Sequence, residues 1–178
     1  MSTDNFEFAF NYLLSNEGGF SSDPDDAGGP TRWGITQETA SRWVGRHLST
    51  EEMKSLTLDQ AKAIYRAWFW LLLKCDEIPD RSIATAIFDI GVNCGMNTAS
   101  KLAQKACQDS GYLIKADGHI GDNTIKALIR VDSKVFIHNF AARVRKHYET
   151  LIANNPKLKK FEVGWLARAD RLLTLAEA

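Results

Sequence analysis

Apolar side chains along this chain recur mostly at spacings of three and four residues, the pattern of helices that bury one face. The clearest run covers residues 58–73, and Thr57 with Gln60 three positions later predicts its N-terminus. The residues that share its apolar face are Leu58, Ala61, Tyr65, Trp68 and Leu72. Phe69 and Trp70 widen that face, so we expect this helix to contribute to the core.

The same periodicity predicts that most of the remaining chain is helical. The predicted helices span residues 4–17, 36–46, 81–94, 98–109, 124–130, 133–153 and 159–177. No segment alternates between apolar and polar residues for long enough to seed a large sheet. Residues 20–34 are rich in Gly, Asp and Pro, which favours a short β-hairpin or an ordered loop. The sequence therefore predicts a mainly α fold with one non-helical excursion after the first helix.

Residues 81–94 are apolar in nearly every direction around the predicted helix, which is typical of a central, buried helix. Asp89 and Asn93 are its polar exceptions, and they lie one turn apart on the same side. Buried polar groups need hydrogen-bond partners. Two interpretations stay open: these side chains face a cleft, or they tie neighbouring segments together.

The charge balance and the cysteine spacing narrow the possible partners. The 178 residues carry 22 Lys and Arg against 22 Asp and Glu, so no net charge attracts nucleic acid, and we expect none as a partner. Cys75, Cys94 and Cys107 are widely spaced and form no Cys-x-x-Cys motif. We therefore expect reduced, mostly buried thiols, with no metal site and no cofactor.

The apolar runs are too short for a membrane span. The longest covers residues 67–73, whereas a spanning helix needs roughly 20 residues, so we expect no stable membrane insertion. The N-terminus lacks the basic region of a signal peptide. We expect the protein to be made in the cytoplasm and to need another delivery route to any substrate outside it.

Glu17 is the strongest candidate for acid–base chemistry. Phe6, Phe10, Leu13 and Glu17 are spaced four, three and four residues apart, so the carboxyl group comes at the end of an apolar stripe. Partial desolvation at that position is expected to raise its pKa, as a general acid near neutral pH requires. A surface glutamate at a frayed helix end is the alternative.

The loop after Glu17 offers groups for the other half of a glycosidic cleavage. Such hydrolysis commonly needs one carboxylic acid for the leaving oxygen, and a second carboxylate or a positioned water on the other face of the sugar. Asp23, Asp25 and Asp26 are the candidates for the second carboxylate. Thr31 is a candidate for holding a water through its hydroxyl group.

The order of these residues resembles that of known cell-wall hydrolases. Glu17, Asp26 and Thr31 are similar to the Glu…Asp…Thr arrangement of phage-type lysozymes, with Thr31 one position closer to Asp26. The resemblance to glycoside hydrolase family 108 is closer and covers nearly the whole chain. The matching motifs are Glu17-Gly18-Gly19-Phe20, Asp23-Pro24 with Asp26, Gly28-Gly29-x-Thr31-x-x-Gly34-Ile35-Thr36, Ala61…Ile64-Tyr65-Arg66…Trp70, Phe88-Asp89…Asn93-x-Gly95, Asp117-Gly118-x-x-Gly121-x-x-Thr124 and Gly164-Trp165-x-x-Arg168.

This resemblance implies an N-acetylmuramidase that cleaves the β-1,4 bond between N-acetylmuramic acid and N-acetylglucosamine. It implies a lysozyme-like helical fold with a catalytic region at residues 1–94. A helical peptidoglycan-binding region at residues 95–178 would pack with it as one compact unit. Glu17 would be the general acid and Asp26, by its spacing, the second carboxylate.

Further roles are implied by the same resemblance. The candidate glycan contacts are Tyr65, Trp70, Asp89 and Asn93. Aromatic faces stack on sugar rings, although aromatics at helical spacing are more often plain core. The expected partner is the glycan strand of peptidoglycan, reached through a holin-like pore or on lysis. A non-catalytic peptidoglycan-binding or secretion-accessory protein that keeps the fold is the alternative.

Overall fold

The computed structural model describes residues 2–15 and 30–177. Within these ranges the chain is mainly helical, with one two-stranded antiparallel sheet. The helices are α1 (Ser2–Leu14), α2 (Gln37–Val44), α3 (Thr50–Lys54), α4 (Leu58–Tyr65), α5 (Arg81–Cys94), α6 (Met96–Asp109), α7 (Asp122–Arg130), α8 (Ser133–Asn154) and α9 (Glu162–Leu172). The strands are β1 (Thr31–Arg32) and β2 (Ile35–Thr36). The predicted mainly α fold with a short hairpin after the first helix is confirmed.

Helix α5 lies at the centre of the molecule. It packs against α1, α6 and α8, and every residue from Ser82 to Gly91 is buried. Its N-terminus is fixed by Asp80, whose side chain accepts a hydrogen bond of 2.9 Å from the backbone N–H of Ile83. The prediction of a helix that is buried on all sides is therefore confirmed.

The predicted helix over residues 58–73 is interrupted by a π turn at Arg66–Trp70. The backbone N–H of Leu71 donates to the carbonyl oxygen of Arg66 at 3.0 Å, five residues back. Such a turn holds one residue more than an α turn and rotates the residues after it about the helix axis. Leu73 is therefore buried, whereas Leu72 is 61% exposed. The predicted placement of Leu72 on the inner face is wrong for this reason.

Several helix ends differ from the predictions. Helix α1 ends at Leu14, three residues before its predicted end. The predicted helix over 159–177 is α9 flanked by two 3₁₀ segments, Pro156–Phe161 and Leu173–Glu177. The predicted N-cap Thr57 is confirmed, because its side chain accepts a hydrogen bond from the backbone N–H of Gln60, and Thr36 caps α2 in the same way.

The three cysteines are free thiols, as predicted. Cys75 and Cys107 are buried and Cys94 is half-buried. Burial raises the pKa of the Cys75 thiol well above its ordinary value, and that of Cys107 to about 12. These thiols are therefore protonated and behave as small core side chains. Among the described helices, none has the length and apolar character that a membrane crossing requires.

The π turn generates a prediction for two adjacent leucines. Leu73→Ala removes a side chain that is 1% exposed and should lower the free energy of unfolding by about 2–5 kcal/mol. Leu72→Ala removes the same atoms from an exposed position and should change it by less than about 0.5 kcal/mol. Urea denaturation of both variants measures the difference. Equal losses would contradict the rotation of this segment by the π turn.

Candidate functional site

Glu17 and Asp26 fall in residues 16–29, outside the described ranges. The structure describes the two elements that flank this segment. Helix α1 with Ser15 comes before it, and the hairpin of β1 and β2 comes after it. Thr31 is the half-buried first residue of that hairpin and pairs with Thr36 on β2.

The hairpin has a two-residue turn made of Trp33 and Gly34. Their φ angles are 55° and 76°, so both residues are left-handed, as a type I′ turn requires. That conformation is unfavourable for Trp33, and two hydrogen bonds hold it in place. Its indole N–H donates to the carbonyl oxygen of Leu56 at 2.9 Å, and its own carbonyl oxygen accepts from the Tyr65 hydroxyl at 3.0 Å. The hairpin that carries Thr31 is thus anchored to the helical core.

Tyr65 links the two flanking elements. Its hydroxyl holds the hairpin turn, and its ring lies 6.0 Å from the ring of Phe10 on α1 and 6.1 Å from that of Phe88 on α5. The side chain has no exposed surface. The proposal that Tyr65 stacks on a sugar is therefore corrected: the ring is core, and the hydroxyl supports the site indirectly.

The prediction that Trp70 contacts the glycan is corrected in the same way. The π turn directs its side chain inward, where the ring lies 5.4 Å from that of Phe6 and 5.6 Å from that of Phe88. Its indole N–H donates to Asp76 at 2.6 Å. With no exposed surface, Trp70 is a core residue in this structure and offers no face to a glycan.

Asp89 forms a buried ion pair that joins α5 to α9. Its Oδ1 accepts from Nη1 of Arg168 at 3.0 Å, and the two side chains are 0% and 10% exposed. A buried carboxylate needs such a partner, because removing an unpaired charge from water is costly. Of the two interpretations left open by the sequence, the structure supports the tie between segments for Asp89.

Asn93, one turn further along α5, lies at the surface. Its Oδ1 accepts from the Tyr148 hydroxyl of α8 at 2.6 Å. Burial raises the pKa of Tyr148, which keeps this hydroxyl protonated as a donor. Asn93, Trp165 and Arg168 line a cavity of about 300 Å³. A glycan contact by Asn93 stays a prediction, with this cavity as its location.

Arg171 of α9 contacts the end of α1. Its Nη2 donates to the backbone carbonyl oxygen of Tyr12 at 2.7 Å and also to the hydroxyl of Ser15. Its guanidinium carbon lies 4.0 Å from the centroid of the Tyr12 ring. Tyr12 and Ser15 are not among the candidate functional residues that the sequence predicts. The sequence feature that points to this contact is the spacing of Arg168 and Arg171, which places both on one face of α9.

The Asp117-Gly118 motif is organised by Gln104 of α6. The Gln104 side chain is 1% exposed, accepts from the Gly118 N–H at 2.9 Å and donates to the carboxylate of Asp117 at 2.9 Å. Gly118 has a φ of 85°, which glycine adopts without strain. This motif is therefore a structural turn. Within the ranges that the structure covers, no three His, Cys, Asp or Glu side chains lie close enough to hold a metal ion.

Two arginines on α8 connect this helix to its neighbours. Arg143 forms a two-pronged ion pair with Asp109 of α6, with bonds of 2.7 and 2.6 Å. Arg145 pairs with Asp170 of α9 at 2.6 Å. Both arginines therefore bind α8 to its neighbours instead of forming an unpaired charged face.

Comparisons with known proteins agree with this architecture. The family described as glycosyl hydrolase 108 matches residues 10–95, and the family described as predicted peptidoglycan domain matches residues 98–170. The solved structure of Brucella abortus SagA is similar, with 30% identity and a TM-score of 0.80 over 98% of this chain and 95% of that one. No curated protein sequence matches the chain significantly.

These matches identify the class of protein as a glycoside hydrolase with a lysozyme-like helical fold and a peptidoglycan-associated C-terminal region. The chain belongs to the glycosyl hydrolase 108 family. Peptidoglycan is accordingly the polymer on which this class of protein acts or to which it binds.

The buried ion pair generates a prediction for stability. Arg168→Met leaves the Asp89 carboxylate without this partner and should lower the free energy of unfolding by about 3–5 kcal/mol. Adding Asp89→Asn removes the buried charge, so the double variant should lose less than the sum of the two single variants. Urea denaturation of the three variants measures the coupling. Strictly additive losses would contradict it.

Proposed function

We propose that this protein is an N-acetylmuramidase that cleaves the β-1,4 bond between N-acetylmuramic acid and N-acetylglucosamine. Glu17 is the general acid that protonates the leaving oxygen. Asp26 is the second carboxylate on the opposite face of the sugar, and Thr31 holds a water beside it. Membership in the glycosyl hydrolase 108 family supports the reaction class.

The observation that carries this proposal is the common anchoring of both flanks of residues 16–29. The apolar side chains Phe6, Phe10 and Leu13 bury α1 in the core up to the turn before Glu17. Tyr65 then connects α1 to the hairpin that begins with Thr31. A segment whose two ends are held by one core is suited to present paired carboxylates at a fixed separation, which glycosidic cleavage requires.

The C-terminal region supports peptidoglycan as the substrate. The predicted peptidoglycan domain match includes α6, α7 and α8. The cavity lined by Asn93, Trp165 and Arg168 lies between α5 and this region. The Trp165 ring stacks on Tyr148 at 5.1 Å, so its orientation is fixed. These contacts support this cavity as a place where a glycan strand binds.

Glu17→Gln tests the general acid. The variant keeps the side-chain size but removes the proton donor, so hydrolysis of purified cell walls should fall by about 10²- to 10⁴-fold. Loss of turbidity measures the rate, and a reducing-end assay on the fragments identifies N-acetylmuramic acid as the new end. Glu38→Gln on the exposed start of α2 is the matched control and should keep wild-type activity.

Equal lysis by wild type and Glu17→Gln would refute the role of Glu17. If wild type binds walls without hydrolysing them, the alternative holds, a non-catalytic peptidoglycan-binding or secretion-accessory protein. The match of residues 98–170 to a peptidoglycan domain is the observation in favour of that alternative.

A panel of single Asp→Asn variants tests the second carboxylate. Asp23→Asn, Asp25→Asn and Asp26→Asn each remove one charge from the same loop. We expect Asp26→Asn to lose at least about 10²-fold in hydrolysis, because the second face of the sugar then lacks its base or nucleophile. The other two variants should retain most of their activity. A dominant loss at Asp23 or Asp25 would reassign the role to that residue.

Delivery to the wall through a holin-like pore, or on lysis, stays a prediction. Co-expression with and without a holin-like pore, followed by assay of external wall hydrolysis, tests it. Hydrolysis outside intact cells without such a pore would contradict it.

A further inference from the structure

The last turn of α1 receives a positive charge from the far end of the chain. The final carbonyl groups of a helix have no partner within the helix, and the helix dipole makes this end attractive to cations. Arg171 supplies both a hydrogen-bond donor and a positive charge to this end of α1. Its Nη2 lies 2.7 Å from the Tyr12 carbonyl oxygen, across a sequence separation of 159 residues.

The contact is built from several groups at once. The Ser15 hydroxyl donates to the Tyr12 carbonyl oxygen at 2.6 Å and accepts from Arg171, so the three groups form a closed set of hydrogen bonds. The guanidinium also lies over the Tyr12 ring at 4.0 Å. This arrangement holds Ser15 against the last turn of α1.

Helix α9 is itself held in place by a second bond. Arg168, one turn before Arg171, pairs with Asp89 in the centre of α5 at 3.0 Å. Helix α5 also packs along α1. Arg171 is therefore presented to α1 from a helix whose position is set by a buried ion pair.

Glu17 comes two residues after Ser15, and two residues of chain span at most ~7 Å between their Cα atoms. We propose that Arg171 is a positioning residue for the catalytic acid, acting through Ser15 and the last turn of α1. This inference rests on the proposed function of Glu17. It assigns to α9 a part in catalysis besides any part in binding the wall.

The expected effect is on turnover more than on affinity. Small misplacements of a catalytic group cost up to about 100-fold in rate, even when they originate away from the reacting atoms. Arg171→Ala should therefore lower kcat by about 10- to 100-fold, with KM changed by less than about 2-fold. Arg171→Lys keeps the charge at the helix end without the planar guanidinium over the Tyr12 ring, and should recover part of the rate.

The experiment compares Arg171→Ala, Arg171→Lys, Ser15→Ala and the double variant Ser15→Ala with Arg171→Ala. Initial rates are measured on soluble, uncross-linked glycan strands, and each rate is divided by the folded fraction from circular dichroism. Arg145→Ala is the matched control, because it breaks the ion pair between Arg145 of α8 and Asp170 of α9 without touching α1. Its kcat should stay within about 2-fold of wild type.

Coupling between Arg171 and Ser15 is the decisive readout. If Arg171 acts through Ser15, the double variant should be no slower than Arg171→Ala alone. Hydrogen exchange of the amides in residues 11–15 should also become faster in Arg171→Ala and stay unchanged in Arg145→Ala. If Arg171 only stabilised the fold, Arg171→Ala would lower the folded fraction and leave the corrected kcat unchanged. No coupling between Arg171 and Ser15 would then appear in kcat.

The possible failures are distinguishable. Activity that is lost in Glu17→Gln but kept in Arg171→Ala would overturn the role of Arg171 and leave the proposed function intact. Activity that is unchanged in Glu17→Gln would overturn both. A loss in Arg145→Ala as large as in Arg171→Ala would show a general disturbance of α9 and would also overturn the positioning role.

Discussion

Two opposite charges in the centre of a protein are tolerated only when they are paired, and Asp89 with Arg168 meets that condition where α5 meets α9. Helix α5 is buried on all sides, so it sets the position of every element packed on it. The ion pair fixes α9 to that centre. Through Arg171, α9 then contacts the end of α1, so the C-terminal region also supports the helix that precedes residues 16–29.

Tyr65 performs the corresponding task for the hairpin. A left-handed tryptophan at the turn is a local cost of about 1–3 kcal/mol, and the hydrogen bonds to Leu56 and Tyr65 offset it. The Tyr65 ring packs on α1 and α5, so the hairpin and the first helix are anchored to the same core. Both ends of the segment that carries Glu17 and Asp26 are thereby set by aromatic packing.

The elements that depend on local chemistry could be predicted from the sequence. Side-chain caps such as Thr36 and Thr57 depend on a residue only three positions away. The all-round apolar character of residues 81–94 is likewise contained in that segment alone. The π turn could not be predicted, because consecutive leucines at 71–73 fit either rotation of the helix. Long-range contacts such as Arg171 with Tyr12 leave no periodic signal. Trp70 was misassigned since its burial depends on that turn.

The contact between Arg171 and Tyr12 also sets an order of events during protein synthesis. Chains grow at roughly 5–20 residues per second, so the 159 positions between these residues take roughly 10 to 30 s to translate. Until α9 has emerged and docked, the end of α1 lacks its cation. A hydrolase that needs this contact stays inactive on the ribosome and for the first moments of folding. Under the proposed role of Arg171, the newly made protein is thus inactive until its last helix docks, without a separate inhibitor.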